Sequence, residues 1–130
     1  MTDALLDTHA LVWSISNPER LGARARSLIE DPSTRLFASA ASAWELSTKV
    51  RLGRFAAAEP LVAQYDTLVN DLGAVHLPIE RAHALRAGSL TWEHRDPFDR
   101  MLAAQALIEH ATLISRDQVF GDLGGLDIVW

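Results

Sequence analysis

Apolar residues along this chain follow two patterns: short unbroken runs, and longer stretches in which they recur every three or four positions. The runs read as buried strands and the stretches as amphipathic helices. Ala4-Leu5-Leu6 is the first run and stops at Asp7. Leu36-Phe37-Ala38, Ala74-Val75-His76-Leu77, Thr112-Leu113-Ile114-Ser115 and Asp127-Ile128-Val129-Trp130 are the others. Between them the spacing predicts helices over Thr8–Ser16, Glu19–Glu30, Ser39–Arg51, Pro60–Leu72 and Pro78–Ala87. Asn17-Pro18, Asp31-Pro32-Ser33, Gly53 and Gly73 punctuate them. Strands alternating with helices predict an α/β protein, a three-layer α/β/α sandwich around a central, mostly parallel sheet. No repeat, low-complexity tract or linker divides it, so residues 1–130 are expected to form one domain.

The most informative helix follows the connection Gly88–Arg95. Asp96 is a good N-cap, Pro97 suits the first helical position, and Asp99 falls in the first turn, where the macrodipole favours negative charge. Phe98, Met101, Leu102, Gln105 and Ile108 then repeat at helical spacing, so one side enters a core while the charged end stays near the surface. Ser42 and Glu45 are spaced like a capping box. A short helix at Asp117–Phe120 completes the set.

Composition narrows the chemistry. There is no cysteine, which removes disulfides, thiolate nucleophiles and sulfur-ligated zinc, and leaves carboxylate and imidazole as ligands. The net charge of −5 argues against binding nucleic acid by bulk charge. Were four acids gathered around a metal ion, the remaining surface would be close to neutral, and a polyanionic substrate becomes acceptable. No apolar run approaches the roughly 20 residues that span a bilayer, and no basic-then-apolar leader opens the chain; no membrane association and a cytoplasmic location are expected.

In open α/β sheets, ligands collect beyond the carboxyl ends of the strands. Asp7 directly follows the first strand, Glu45 lies on the helix after the second, Asp99 sits at a helix start, and Asp117 comes just after the fourth strand. All four can face one edge. Crowded carboxylates repel unless a cation holds them, and oxygen-only ligation suits Mg²⁺ or Mn²⁺. Each acid also has a plainer explanation: Asp7 and Asp117 as helix caps, Glu45 as the partner of Ser42. Arg95, Arg100 and Arg116 lie beside acids, where they can hold phosphate or pair with the carboxylates, and His9 and His94 flank proposed acids. No Gly-rich phosphate loop, Gly-x-Ser-x-Gly elbow or His-Glu-x-x-His helix occurs.

Leu5-Leu6-Asp7-Thr8-His9-Ala10-Leu11-Val12-Trp13, Ser42-Ala43-Trp44-Glu45-Leu46, the run from His94 to Ala106, and Ser115-Arg116-Asp117 together resemble a PIN domain. More narrowly they resemble the VapC toxins of bacterial toxin–antitoxin pairs, and the similarity runs nearly end to end. The resemblance implies an endoribonuclease dependent on Mg²⁺ or Mn²⁺, in which metal-activated water hydrolyses RNA phosphodiester bonds. It implies Asp7 and Asp99 as metal ligands, Asp117 as a ligand or just behind them, and Glu45 as holding metal-bound water. Thr8 and Ser115 would place hydroxyls beside the acids, Arg100 would support the site, and Asp96 belongs to the same signature. A homodimer and a VapB-like antitoxin partner are implied as well. Two other readings are a different Mg²⁺-dependent phosphohydrolase and a non-catalytic module that docks RNA or protein. Against the first, Asp7-Thr8-His9 lacks the second aspartate of a haloacid-type phosphatase.

Overall fold

In the computed structural model, which describes residues 2–130, five strands form one sheet: Thr2–Leu6 (β1), Thr34–Ser39 (β2), Val75–Leu77 (β3), Thr112–Ile114 (β4) and Ile128–Val129 (β5). Their order is β3-β2-β1-β4-β5 and every pairing is parallel. Seven α-helices connect them: Thr8–Ser16 (α1), Ala23–Glu30 (α2), Ala40–Arg51 (α3), Glu59–Ala63 (α4), Tyr65–Leu72 (α5), Arg81–Ser89 (α6) and Pro97–Ile108 (α7). The fold is thus the expected α/β/α sandwich, with a sheet that is wholly parallel.

Alternation along the strands divides the core in two. Ala4, Leu6, Leu36, Ala38 and Ile114 point to one face, where Leu11 and Trp13 of α1, Ala25 of α2, Leu61 of α4 and Val69 of α5 cover them. Leu5, Phe37, Leu77 and Leu113 point to the other, under Leu102, Ala103 and Ala106 of α7 and Phe120. Burial on both faces explains why the strands read as unbroken apolar runs. The inward face of α7 carries more alanine than the sequence pattern suggested, and Phe98 and Met101 are only half-buried.

Three helix expectations need correction. The predicted Glu19–Glu30 helix breaks into a 3₁₀ turn, Pro18–Arg20, and α2; Leu21 is extended and Gly22 is the N-cap of α2. Packing against the other end of the chain is the cause. A Cβ on Gly22 would stand 2.5 Å from the Trp130 carbonyl carbon and 2.7 Å from its indole Cδ1. The predicted Pro60–Leu72 helix is interrupted at Gln64, whose φ of −126° and ψ of 37° are not helical. The predicted Pro78–Ala87 helix begins later, at Arg81, because Glu80 and His83 form the capping box there.

The contact at Gly22 gives a paired prediction. Gly22→Ala overpacks against backbone that cannot yield, and is expected to destabilise the chain by about 1–3 kcal/mol. Gly88→Ala, inside α6 with nothing within 4 Å of its Cβ, is expected to stabilise by about 0.5–1 kcal/mol. Urea midpoints of the two variants check both signs.

Candidate active site

The chain runs from β1 outward to β2 and β3, then returns to the opposite side of β1 as β4. That reversal places a topological switch point between β1 and β4, at whose carboxyl end a crevice opens. The Asp7 N–H donates to the Ile114 carbonyl at 3.0 Å, so the two strands stay locked as the crevice begins. A cavity of about 540 Å³ lies there, lined by Asp7, Thr8, His9, Trp13, Glu45, Lys49, Asp96, Asp99, Arg116, Asp117 and Gln118. All four acids singled out from the sequence therefore face one space, with Asp96 as a fifth.

Each carboxylate is held by local structure. Asp7 caps α1, accepting from the Ala10 N–H at 2.8 Å. Asp96 caps α7, accepting from Phe98 and Asp99 N–H groups at 2.9 and 3.0 Å, as its spacing predicts. Asp117 accepts from the Val119 N–H at 3.0 Å, while the Ser115 hydroxyl accepts from the Asp117 N–H at 3.0 Å. Ser115 itself is buried just behind the cavity.

The Ser42–Glu45 pair is not a capping box. Ser39 is the N-cap of α3, accepting from the Ala41 N–H, and Ser42 lies inside the helix. Ser42 and Glu45 share one helical face and meet Thr8 across the crevice. The Thr8 hydroxyl donates to Glu45 Oε1 at 2.6 Å, so its 3.0 Å contact with Ser42 Oγ uses the Ser42 proton. Lys49, one turn further along α3, donates to Glu45 Oε2 at 2.5 Å. The sequence reading missed Lys49 as part of the site, although its four-residue spacing from Glu45 was the available signal.

Burial governs the electrostatics. It raises the Asp7 carboxyl above the ordinary range, and Glu45 adds to that; the Ser115 hydroxyl, the Ala10 N–H and His9 act against it. Asp99 is pushed up to about 6, chiefly by burial and further by Asp96 and Glu45, against the hydrogen bond from His94. His94 Nε2 lies 2.7 Å from Asp99 Oδ2, on the helix that Asp96 starts.

The donors facing the cavity are oxygens of carboxylate and hydroxyl groups, the set preferred by hard divalent ions. Among the described residues, no three His, Asp or Glu side chains are already closed around one point. The arrangement fits an ion such as Mg²⁺, which keeps several waters and takes one or two carboxylates, better than a dry cage of protein ligands. A cation there would also relieve the mutual repulsion that raises Asp99.

Arg100 does not line this cavity. Its Nε donates to the Ala87 carbonyl at 3.0 Å, Nη1 to Trp92 and His94 carbonyls at 2.7 and 2.9 Å, and Nη2 to the Leu90 carbonyl at 2.8 Å. Its guanidinium is a staple for the connection entering α7, a role requiring neither phosphate nor carboxylate. Arg95 is exposed and outside the cavity lining, whereas Arg116 lines it.

Residues 4–126 match the PIN domain family. The chain belongs to that family. No curated protein sequence matches it. Among solved structures, it is similar to a chain of DNA-bound VapBC from Salmonella typhimurium, with TM-score 0.69 and 19% identity, covering 99% of this chain and 98% of that one. A chain of VapBC2 from Rickettsia felis, bound to a DNA fragment from its promoter, gives TM-score 0.69 at 16% identity, covering 98% of each. FitAcB from Neisseria gonorrhoeae gives 0.64 at 19% identity, covering 98% of this chain and 96% of that one. These likenesses establish the PIN-like fold. Among the described residues of this PIN domain, no helix is long and apolar enough to cross a membrane.

Proposed function

We propose that this PIN domain is a nuclease, and more narrowly the toxin of a VapBC-type toxin–antitoxin pair: an endoribonuclease dependent on Mg²⁺ or Mn²⁺. Family membership supports the coarse assignment. The observation that carries the finer one is the convergence of Asp7, Glu45, Asp96, Asp99 and Asp117 on a single cavity at the sheet's switch point. Asp7 and Asp99 hold the ion in this reading, Asp117 stands beside them, and Glu45 orients water. A bound divalent ion lowers the pKa of water and offsets charge on the reacting phosphodiester.

The chain's own residues prepare that chemistry. Thr8 and Lys49 fix both oxygens of Glu45, and the Ala10 N–H fixes Asp7. The N-terminus of α7, a helix of 12 residues, points its positive end at Asp99 and favours its charged form. An antitoxin partner is proposed because the similar structures include VapBC complexes. A homodimer belongs to the same proposal: Trp44 is 59% exposed and meets Phe98 edge-on at 4.9 Å, the kind of aromatic surface that subunit contacts cover.

Divalent-ion binding has a readout independent of cleavage. Mn²⁺ at a hundred times its dissociation constant is expected to stabilise the chain by about 2.7 kcal/mol. The melting temperature should rise by roughly 10 °C at pH 7.5 and by much less near pH 5, where Asp99, with its pKa of about 6, binds a proton instead. RNA cleavage should disappear on chelation and return with Mn²⁺. A melting temperature indifferent to Mn²⁺ at pH 7.5, with no cleavage, identifies a non-catalytic docking module instead.

A further inference from the structure

Only two cationic side chains, Lys49 and Arg116, line the acidic cavity among the described residues, and their situations differ. Lys49 is committed to Glu45. Arg116 stands between Ser115 and Asp117 at the lip of a cavity with five carboxylates, yet among the described residues its side chain takes part in none of the four ion pairs and donates no hydrogen bond. Instead its guanidinium carbon lies over the Trp13 ring, 4.9 Å from the centroid.

An arginine in such surroundings would ordinarily collapse onto the nearest carboxylate. The attraction of the indole face for the guanidinium opposes that collapse. Trp13 makes a firm perch: it is 6% exposed, Trp130 packs edge-on against it at 5.7 Å, and the His9 ring lies 5.4 Å away. The perch leaves the planar donor fork of Arg116 exposed beside the acids without neutralising them.

We infer that Arg116, held on Trp13, grips a phosphate of the bound RNA strand flanking the one that is cut. This inference rests on the nuclease reading above. A guanidinium fork matches phosphate geometry in two parallel hydrogen bonds, which an ammonium cannot reproduce. Depth separates the two roles. Asp7 is buried at the floor, where the phosphate to be cut must reach, whereas Arg116 is exposed at the rim, where the next phosphate passes. Arg20 also lies over Trp13, at 4.5 Å, but outside the cavity lining.

The test uses the full chain and a 5′-fluorescein-labelled stem-loop RNA. Arg116→Ala is expected to raise KM about tenfold with kcat within twofold, and to reduce the salt dependence of binding by about 0.7 in the slope of log K against log salt, one single-strand phosphate contact. Arg116→Lys should recover less than a third of that loss, and Trp13→Phe, which keeps a ring with a weaker face, should raise KM about threefold. Arg81→Ala removes the same charge away from the cavity and should leave KM within twofold. Fluorescence anisotropy of the same RNA with Asp99→Asn chains, with and without Arg116→Ala, reads the phosphate contact without cleavage. If the wild-type chain cuts RNA but KM, slope and anisotropy ignore Arg116→Ala, the inference falls and the nuclease reading stands. If the wild-type chain cuts nothing, that reading falls, and the anisotropy pair alone decides whether Arg116 holds phosphate. An equal KM rise in Arg81→Ala would reduce the effect to bulk charge and overturn it.

Discussion

Asp99→Asn is expected to lower metal-dependent RNA cleavage about a thousandfold while making the chain more stable at neutral pH. On the proposed function, the first effect follows from taking a charge out of the set that would hold the ion, worth several kcal/mol of transition-state stabilisation, or roughly three powers of ten. The second follows from burial. In the native chain Asp99 titrates at about 6, well above an unfolded aspartate at about 3.9. Between those values the native state holds a proton that the unfolded state has released, so stability falls as pH rises through that window. Above it the ionised carboxylate is a standing penalty, on the order of 1–2 kcal/mol after allowing for its partial exposure. Asparagine removes the penalty, so the variant should melt several degrees higher than wild type at pH 7.5. The two melting temperatures should converge near pH 4, where both carry a neutral side chain. Thermal melts across pH 4–8, beside a cleavage assay, test both halves together. A variant less stable at pH 7.5 than at pH 4, relative to wild type, would mean that Asp99 is held by its partners more than it is penalised by burial. Asp7→Asn should be equally inactive without unfolding, since asparagine is as good an N-cap as aspartate for the bond to the Ala10 N–H.

Arg100→Lys is expected to destabilise the chain by about 3 kcal/mol although it keeps the charge. Four backbone carbonyls, from Ala87, Leu90, Trp92 and His94, converge on one guanidinium. Each charge-assisted bond contributes about 1.5–3 kcal/mol taken singly, and they do not add in full. A lysine ammonium is a point with three donors and cannot reach carbonyls distributed around a planar fork. The connection before α7 should then loosen, which amide exchange at residues 90–95 would register as faster opening together with a lower urea midpoint. If stability changed by less than about 0.5 kcal/mol, the staple would be ornamental and Arg100 would return as a candidate phosphate ligand. The loss should appear with no RNA present, which separates this role from substrate binding.

Much of this was legible in the sequence, and the reason differs by element. Strands β1, β2 and β4 announce themselves because both sheet faces are covered, so no polar residue needs to interrupt them. The start of α7 was legible because capping is local: Asp96, Pro97 and Asp99 lie within four positions and need no partner elsewhere. The failures share the opposite property. The helix gives way at Leu21 and Gly22 because Trp130 packs against Gly22 from the far end of the chain. Ser42 and Glu45 have the spacing of a cap, yet they serve Thr8, thirty-four and thirty-seven positions away. Arg100 looked like a site residue because acids surround it in sequence, while its actual partners are backbone carbonyls that no side-chain pattern reveals. Trp13 lies in the core, and its second role as a rest for Arg116 depends on a contact between residues far apart in the chain.

The placement of β1 at the centre of the sheet, with β4 as its late-made neighbour, bears on when the proposed activity can first arise. A polypeptide released before β4 is synthesised carries Asp7, Glu45 and Asp99 but has nothing to dock along one edge of β1 and no Asp117. Chains that stop short of β4 are therefore expected to lack a complete acidic cavity and, on the proposed function, to be inactive. For a molecule proposed to attack RNA, that order of assembly is a safeguard inherent in the strand order, independent of any inhibitor.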